Sequence, residues 1–243
     1  MDKQDERWGL WIDIEGFSNL WSAGDLALRG LNTLMELIHQ IGTHCYPDDP
    51  ERLFVHQIGD GFYIASDFHE PSLDRCTAIA ITLMRGVVCA GCVARATIAE
   101  GPLADYGGCR PREIQIQLAQ TGESDVVGLG SGLMTLQAVM GQGIINVVTL
   151  EKVAQTKGAQ LLIAAANRPR LSASFGTRPL AANGDILAID WLHCTHSLLE
   201  QIETRSGLSI SSIPDLERKL RDYIAEQRLP NTWSDPTLRN LGL

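Results

Sequence analysis

The chain has 243 residues, 44% hydrophobic and 20% charged, enough to bury a full core in one large domain or in one domain with an extension. A formal charge of −9 excludes a protein that coats nucleic acid, although a single nucleotide is compatible with it where a metal ion supplies positive charge. No apolar run reaches the roughly 18 residues of a membrane span, and the charged N-terminus is unlike a signal peptide, so a cytoplasmic protein off the membrane is expected.

The first element is an apolar run through Trp8, Leu10, Trp11, Ile12 and Ile14 that reads as a buried strand, with Asp13 near its end and Gly16 as a turn. A helix follows, with Leu31, Leu34, Met35, Ile38 and Ile41 at helical spacing and Gly42 expected to stop it. Residues 45–51 form a loop. Residues 53–58 and 62–66 are strand-like and flank Gly59-Asp60-Gly61, a β-hairpin with a carboxylate at its tip. Residues 74–88 read as a second helix and 93–99 as a strand.

Residues 101–132 are rich in glycine and weakly periodic, which reads as loop. The cluster Gly128-Leu129-Gly130-Ser131-Gly132 lacks the Lys-Ser/Thr of a phosphate-binding P-loop and is expected to be a plain connection. A strand over 133–140, a helix over 144–154 and strands over 160–165 and 185–191 complete the set. From His193 onward the pattern is helical, with a charged helix over 215–227 and a polar tail. The division expected is 1–192 as the main domain and 193–243 as a helical extension packed on it.

Six cysteines are scattered along the chain. The pair Cys89 and Cys92 has no second pair to complete a zinc site, and reduced buried thiols are expected. His193-Cys194-Thr195-His196 reads as a helix start rather than a metal site, and Trp8 and Trp11 as core rather than a base platform. Arg110 and Arg112 fall in the loop region, where a solvated face is the default.

Strand–helix–hairpin–helix–strand is the order of a split βαβ, so the fold class expected is α+β with a ferredoxin-like sheet. That sheet sets the first strand beside the hairpin and brings Asp13 near Asp60. Two carboxylates meeting in a partly buried place repel unless a cation lies between them, and paired carboxylates on oxygen-preferring cations perform two-metal phosphoryl transfer.

Asp13-Ile14-Glu15-Gly16-Phe17-Ser18 resembles the first metal-binding motif of the class III nucleotide cyclases, and Ile58-Gly59-Asp60-Gly61 their second. Val139-Met140-Gly141 followed by Leu150-Glu151 is a degraded third match. The resemblance covers roughly residues 8–165. It implies attack of the ribose 3′-hydroxyl on the α-phosphate, with two Mg²⁺ or Mn²⁺ ions per site held by Asp13, Asp60 and the main-chain carbonyl of Ile14. It also implies that the amides from Gly16 through Phe17 and Ser18 face the phosphates, and that sites lie between the subunits of a head-to-tail homodimer.

The departures narrow the reading. Where purine cyclases of the family read the base, this chain has His56 and Ala138. Where they carry a transition-state Asn and Arg, it has Ile145 and Thr149, or Asn146 and Leu150 if the register slides by one residue. Arg95 is the best substitute for the arginine, with Lys152 another, and Asp125 could replace the missing base acid. A cyclase with both metal carboxylates and a rewritten base pocket resembles the pyrimidine cyclases of bacterial anti-phage signalling, the Pycsar systems, which are compact enzymes of about this length. On that resemblance the substrate is UTP, or CTP, with His56 donating to a pyrimidine carbonyl. Two other classes stay open: an inactive cyclase-fold module that binds nucleotide or dimerises, and a palm-type relative such as a diguanylate cyclase, whose turn carries a second acid that Gly59-Asp60-Gly61-Phe62 lacks.

Overall fold

A computed structural model describes the chain except residues 1–5, 18–19, 21–24, 49–50, 67, 106–109, 124, 137–138 and 181–182. In order, the elements are β1 (Glu6–Ile14), α1 (Leu26–Cys45), β2 (Leu53–Ile58), β3 (Gly61–Ser66), α2 (Asp74–Cys89) and β4 (Ala94–Pro102). A middle section holds β5 (Ala104–Asp105), α3 (Arg112–Thr121), β6 (Val126–Leu129), β7 (Gly132–Thr135), β8 (Val139–Met140) and α4 (Gln142–Ala154). The chain continues through β9 (Leu161–Ala164), β10 (Thr177–Leu180), β11 (Asn183–Ile189), α5 (Ser197–Ser206), α6 (Ile213–Glu226) and α7 (Asn231–Leu241).

The main sheet runs β10-β11-β9-β4-β1-β3-β2. β1 pairs antiparallel with both β3 and β4, which makes β4-β1-β3-β2 the ferredoxin-like order expected of the split βαβ. β9 joins β4 in parallel, and β10 and β11 extend that side as an antiparallel pair.

The alternation of β1 assigns its two faces. Trp8, Leu10, Ile12 and Ile14 point into the main core with Leu34, Ile38 and Ile41 of α1 and Ile79, Leu83 and Val87 of α2. Each such side chain contributes about 1.5–3 kcal/mol on burial. Trp11 lies on the opposite face, in a smaller apolar cluster with Tyr63, Ala99 and Val147 beneath α4. Asp13 shares that face by the same alternation. The sheet is thus covered on one side by α1 and α2 and on the other by α4.

Several local expectations are corrected. Gly42 does not end α1, which runs to Cys45; a glycine costs a helix interior about 1 kcal/mol, and the burial of Ile41 and Cys45 one turn apart outweighs it. Met35, read as part of the buried stripe, is exposed. The section read as loop contains α3 and the β6–β7 hairpin. Gly130, at φ +68°, sits in the hairpin's turn between Leu129 and Gly132, so the glycine cluster is a turn. The strand read over 133–140 is two short strands in different sheets. β10 was hidden by its Arg-Pro pair.

The polar tail is helix α7, whose Trp233, Thr237 and Leu241 recur every fourth residue as a buried stripe. The periodicity was diluted by Ser, Thr and Asn that hydrogen-bond internally, as Thr237 does to the Ala159 amide at 3.1 Å.

The C-terminal helices lie against the α1–α2 layer, α5 on both helices and α6 on α2. Arg85 of α2 anchors the chain leading to them. Its buried guanidinium donates to the carbonyls of Trp191, Leu192 and Cys194 at 2.5–3.0 Å. His196 caps α5, so His193-Cys194-Thr195-His196 does lead into a helix, and the His193 ring sits between Asp190 and Glu217. Cys89 and Cys92 are free thiols. Trp8 is core: its indole N–H donates to the Glu70 carbonyl at 2.9 Å and its ring carries the Arg170 guanidinium at 4.2 Å. No helix among the described residues is long and apolar enough to cross a membrane.

Candidate functional site

Asp13 is placed by two strand registers at once. Its cross-strand partners are Gly61 on β3 and Arg95 on β4. Asp60, the residue before Gly61, is thereby brought to the same end of the sheet. Gly59 makes the turn possible, with φ +67° in the region where a side chain is strained, and Gly16 does the same after β1 at φ +76°.

A cleft of about 540 Å³ opens there, with Asp13, Ile14, Glu15, Phe17, Asp60 and Arg95 among the residues that line it. The opposite wall comes from the C-terminal helices, through Tyr223, Arg228 and Trp233, and from Lys157 in the α4–β9 connection.

Arg95 lies among three carboxylates. It is 3.7 Å from Asp13 Oδ2 and 3.5 Å from Glu15 Oε2, and it donates a hydrogen bond to Glu151 Oε1. Burial works against its charge, but Glu15, Asp13 and Glu151 together outweigh burial and hold its pKa above the ordinary value. Asp13 shows the opposite balance. Burial pushes its carboxyl up to about 7; Arg95 opposes the rise, while Glu151, Glu15 and Asp60 add to it. Oδ1 of Asp13 is buried and has no hydrogen-bond partner among the described residues.

Glu15 supports the turn rather than facing open solvent. Its Oε1 accepts the Trp233 indole N–H at 3.0 Å and the Gly158 amide at 3.4 Å. This one carboxylate therefore links β1, the α4–β9 connection and α7.

The expected site residues divide as follows. Asp13, Ile14, Phe17, Asp60 and Arg95 line one cleft. His56 does not: it is half-buried on the edge strand β2, opposite Tyr63, and outside the wall of its own chain's cleft. Ser18 and Ala138 lie outside the described residues. Asn146 is occupied, donating to the Glu100 carbonyl at 2.7 Å and accepting from Gln142 at 2.8 Å. Lys152 is exposed on α4, and Arg110 pairs with Asp125 at 3.5 Å away from the cleft wall.

The residues not foreseen are Glu15 in its structural role, Glu151 as the partner of Arg95 and not only a member of the degraded third match, Lys157, Arg228 and Trp233. Glu151 had a signal: it lies four residues after Val147, on the α4 face that meets the sheet. The others depend on how distant segments meet.

Oxygen donors are what the cleft offers a cation. Asp13 Oδ1 has no donor among the described residues, Asp60 shares the wall, and Ile14 lines it too, a set that fits an oxygen-preferring divalent ion. Among the described residues no group of three or more His, Cys, Asp or Glu side chains is arranged to hold a metal by itself. Phosphate oxygens or water would complete any such shell.

No family model matches the chain, and no curated protein does. Solved structures of similar backbone exist. A bacterial light-regulated adenylyl cyclase is 10% identical at a TM-score of 0.43, over 90% of this chain and 58% of its own. The guanylyl cyclase domain of the RhoGC fusion protein from the aquatic fungus Blastocladiella emersonii is 11% identical at 0.47, over 76% and 94%. A class III adenylyl cyclase-like ATP-binding protein from Pseudomonas aeruginosa is 10% identical at 0.42, over 82% and 40%.

Proposed function

We propose that the chain is a nucleotide cyclase that converts UTP to 3′,5′-cyclic UMP and pyrophosphate. The observation that carries the reading is the divided carboxylate of Asp13. One oxygen faces Arg95, and the other is buried, without a donor among the described residues, beside a cleft shared with Asp60. A buried oxygen of this kind is costly unless a cation meets it.

Asp13, Asp60 and the Ile14 carbonyl would hold two Mn²⁺ or Mg²⁺ ions. Bound there, such ions lower the pKa of the 3′-hydroxyl and offset charge on the phosphates. Arg95 keeps Asp13 oriented and stays charged through Glu15 and Glu151, so it faces developing phosphate charge as a fixed cation. Gly16 and Phe17 line the same cleft, where the resemblance has the amides from Gly16 onward face the phosphates.

The base assignment rests on His56 and Ala138 standing where purine cyclases carry their reading pair. His56 lies outside its own chain's cleft, which suits a head-to-tail homodimer in which each subunit offers its β2 to the partner. Most of the large exposed apolar side chains among the described residues fall between 116 and 153, including Ile116, Leu133, Met140 and Ile145, apolar area that such pairing could cover. A cyclic pyrimidine nucleotide made this way would act as a second messenger, and the Pycsar resemblance is what supports a role for it in bacterial anti-phage defence.

A second reading, a nucleotide-binding module without turnover, is favoured by one fact: the Arg95 guanidinium is engaged by three carboxylates. Incubation with all four nucleoside triphosphates and Mn²⁺, followed by mass identification of the product, separates the cases. Cyclic UMP is expected, and Asp60→Asn should abolish it while the fold persists. Predominant cyclic AMP or cyclic GMP would overturn the base assignment, and nucleotide binding with no cyclic product would favour the inactive module.

A further inference from the structure

Three cations line the Asp13 cleft, and they differ in what holds them. Arg95 is shared by carboxylates. The side chains of Lys157 and Arg228 make no ion pair or hydrogen bond among the described residues, although Asp13, Glu15 and Asp60 line the same space. Both are exposed, so each costs little to keep charged in water.

Their backbones, by contrast, are fixed. Lys157 precedes Gly158, whose amide is bound to Glu15. Arg228 stands in the left-handed region at φ +49°, an arrangement that ordinary side chains seldom adopt. It is held there by hydrogen bonds from its own amide to the Ala225 carbonyl at 3.2 Å and from the Leu229 amide to Ile224 at 3.1 Å, with Leu229 packed on the core. Trp233 then returns to Glu15. Two loops far apart in sequence are thus tied to one buried carboxylate, and each presents an unengaged cation to the cleft. Backbone strain kept by surrounding structure often marks a site at work.

We propose that Lys157 and Arg228 form a polyphosphate clamp, supplied by the same chain that carries Asp13 and Asp60, which receives the terminal phosphates of the substrate and then the pyrophosphate product. The inference rests on the cleft being a triphosphate site. It makes the α6–α7 corner a working wall. Arg228 offers a planar fork to phosphate oxygens and Lys157 a point charge, a division of labour that fits a chain of two phosphates.

The test is titration of the full-length protein with inorganic tripolyphosphate and Mn²⁺ by calorimetry. The variants are Lys157→Ala, Arg228→Ala, Arg228→Lys and, as a control on α6 outside the cleft, Arg221→Ala. Wild type and Arg221→Ala should bind alike. Each cleft alanine should weaken binding about tenfold, the size of one charge-assisted contact, and Arg228→Lys should keep most of the affinity. Tripolyphosphate that binds Lys157→Ala and Arg228→Ala as it binds wild type, or that fails to bind wild type, overturns the clamp. The same variants assayed with UTP separate the two proposals. Cyclisation with unchanged KM in both alanines sinks the clamp and leaves the cyclase. Clamp-dependent tripolyphosphate binding with no cyclisation of any nucleotide sinks the cyclase and leaves the clamp.

Discussion

At the scale of single residues, Asp13 carries the sharpest electrostatic conflict in the cleft. Burial raises its pKa from 3.8 to about 7 against the pull of Arg95. Between those values the folded protein holds a proton that the unfolded chain releases, so the stability contributed at this site falls as pH rises through the window. Asp13→Asn keeps the shape and removes the charge. In EDTA at pH 8 the variant should be more stable than the wild type by up to about 4 kcal/mol, since each pH unit of displacement is worth about 1.4. The gap should narrow at pH 5, where wild-type Asp13 is itself protonated. Thermal unfolding at the two pH values checks this, and an asparagine variant less stable at pH 8 would mean that the Arg95 pair outweighs burial.

At the scale of elements, the site depends on Glu15 joining β1 to α7. Trp233→Phe would keep most of the packing and remove the indole N–H, leaving a buried carboxylate oxygen with only the longer bond from Gly158. A loss of about 1–2 kcal/mol is expected, read as a lower urea midpoint at unchanged slope. An unchanged midpoint would show that water replaces the indole. This link was not readable in advance. The opening strand, the first helix and the hairpin announced themselves through unbroken apolar periodicity. Trp233 sits in a segment whose polar residues outnumber its buried ones, and its stripe shows only once α7 is seen packed.

At the scale of the molecule, one chain brings Asp13 and Asp60 to one cleft and provides, on the cyclase and clamp proposals, both the metal carboxylates and the phosphate cations, while His56 is set apart on an edge strand. Activity is therefore expected to need a dimer for base recognition. Ile145→Glu, on an exposed apolar position of α4, should convert a dimer into a 26.5 kDa monomer by light scattering and lower turnover at least tenfold. Full activity in a monomeric species would end the composite-site reading. Mixing Asp60→Asn with His56→Ala should restore one working site per heterodimer, and a failure to recover activity when heterodimers form would count the same way.

The sequence by itself determined the split βαβ order, the helix and hairpin that flank it, and the two carboxylates beside glycines. These are local signals: period, turn chemistry and a charge at the end of an apolar run. Only the tertiary structure decided which groups surround Asp13. β-pairing placed Gly61 and Arg95 on its two sides, α4 brought Glu151 to Arg95, and α7 brought Trp233 to Glu15. Each of those contacts joins residues dozens to hundreds of positions apart. Such contacts form because the apolar faces of β1, α4 and α7 must be covered, and burial of those faces fixes where the few polar groups among them meet.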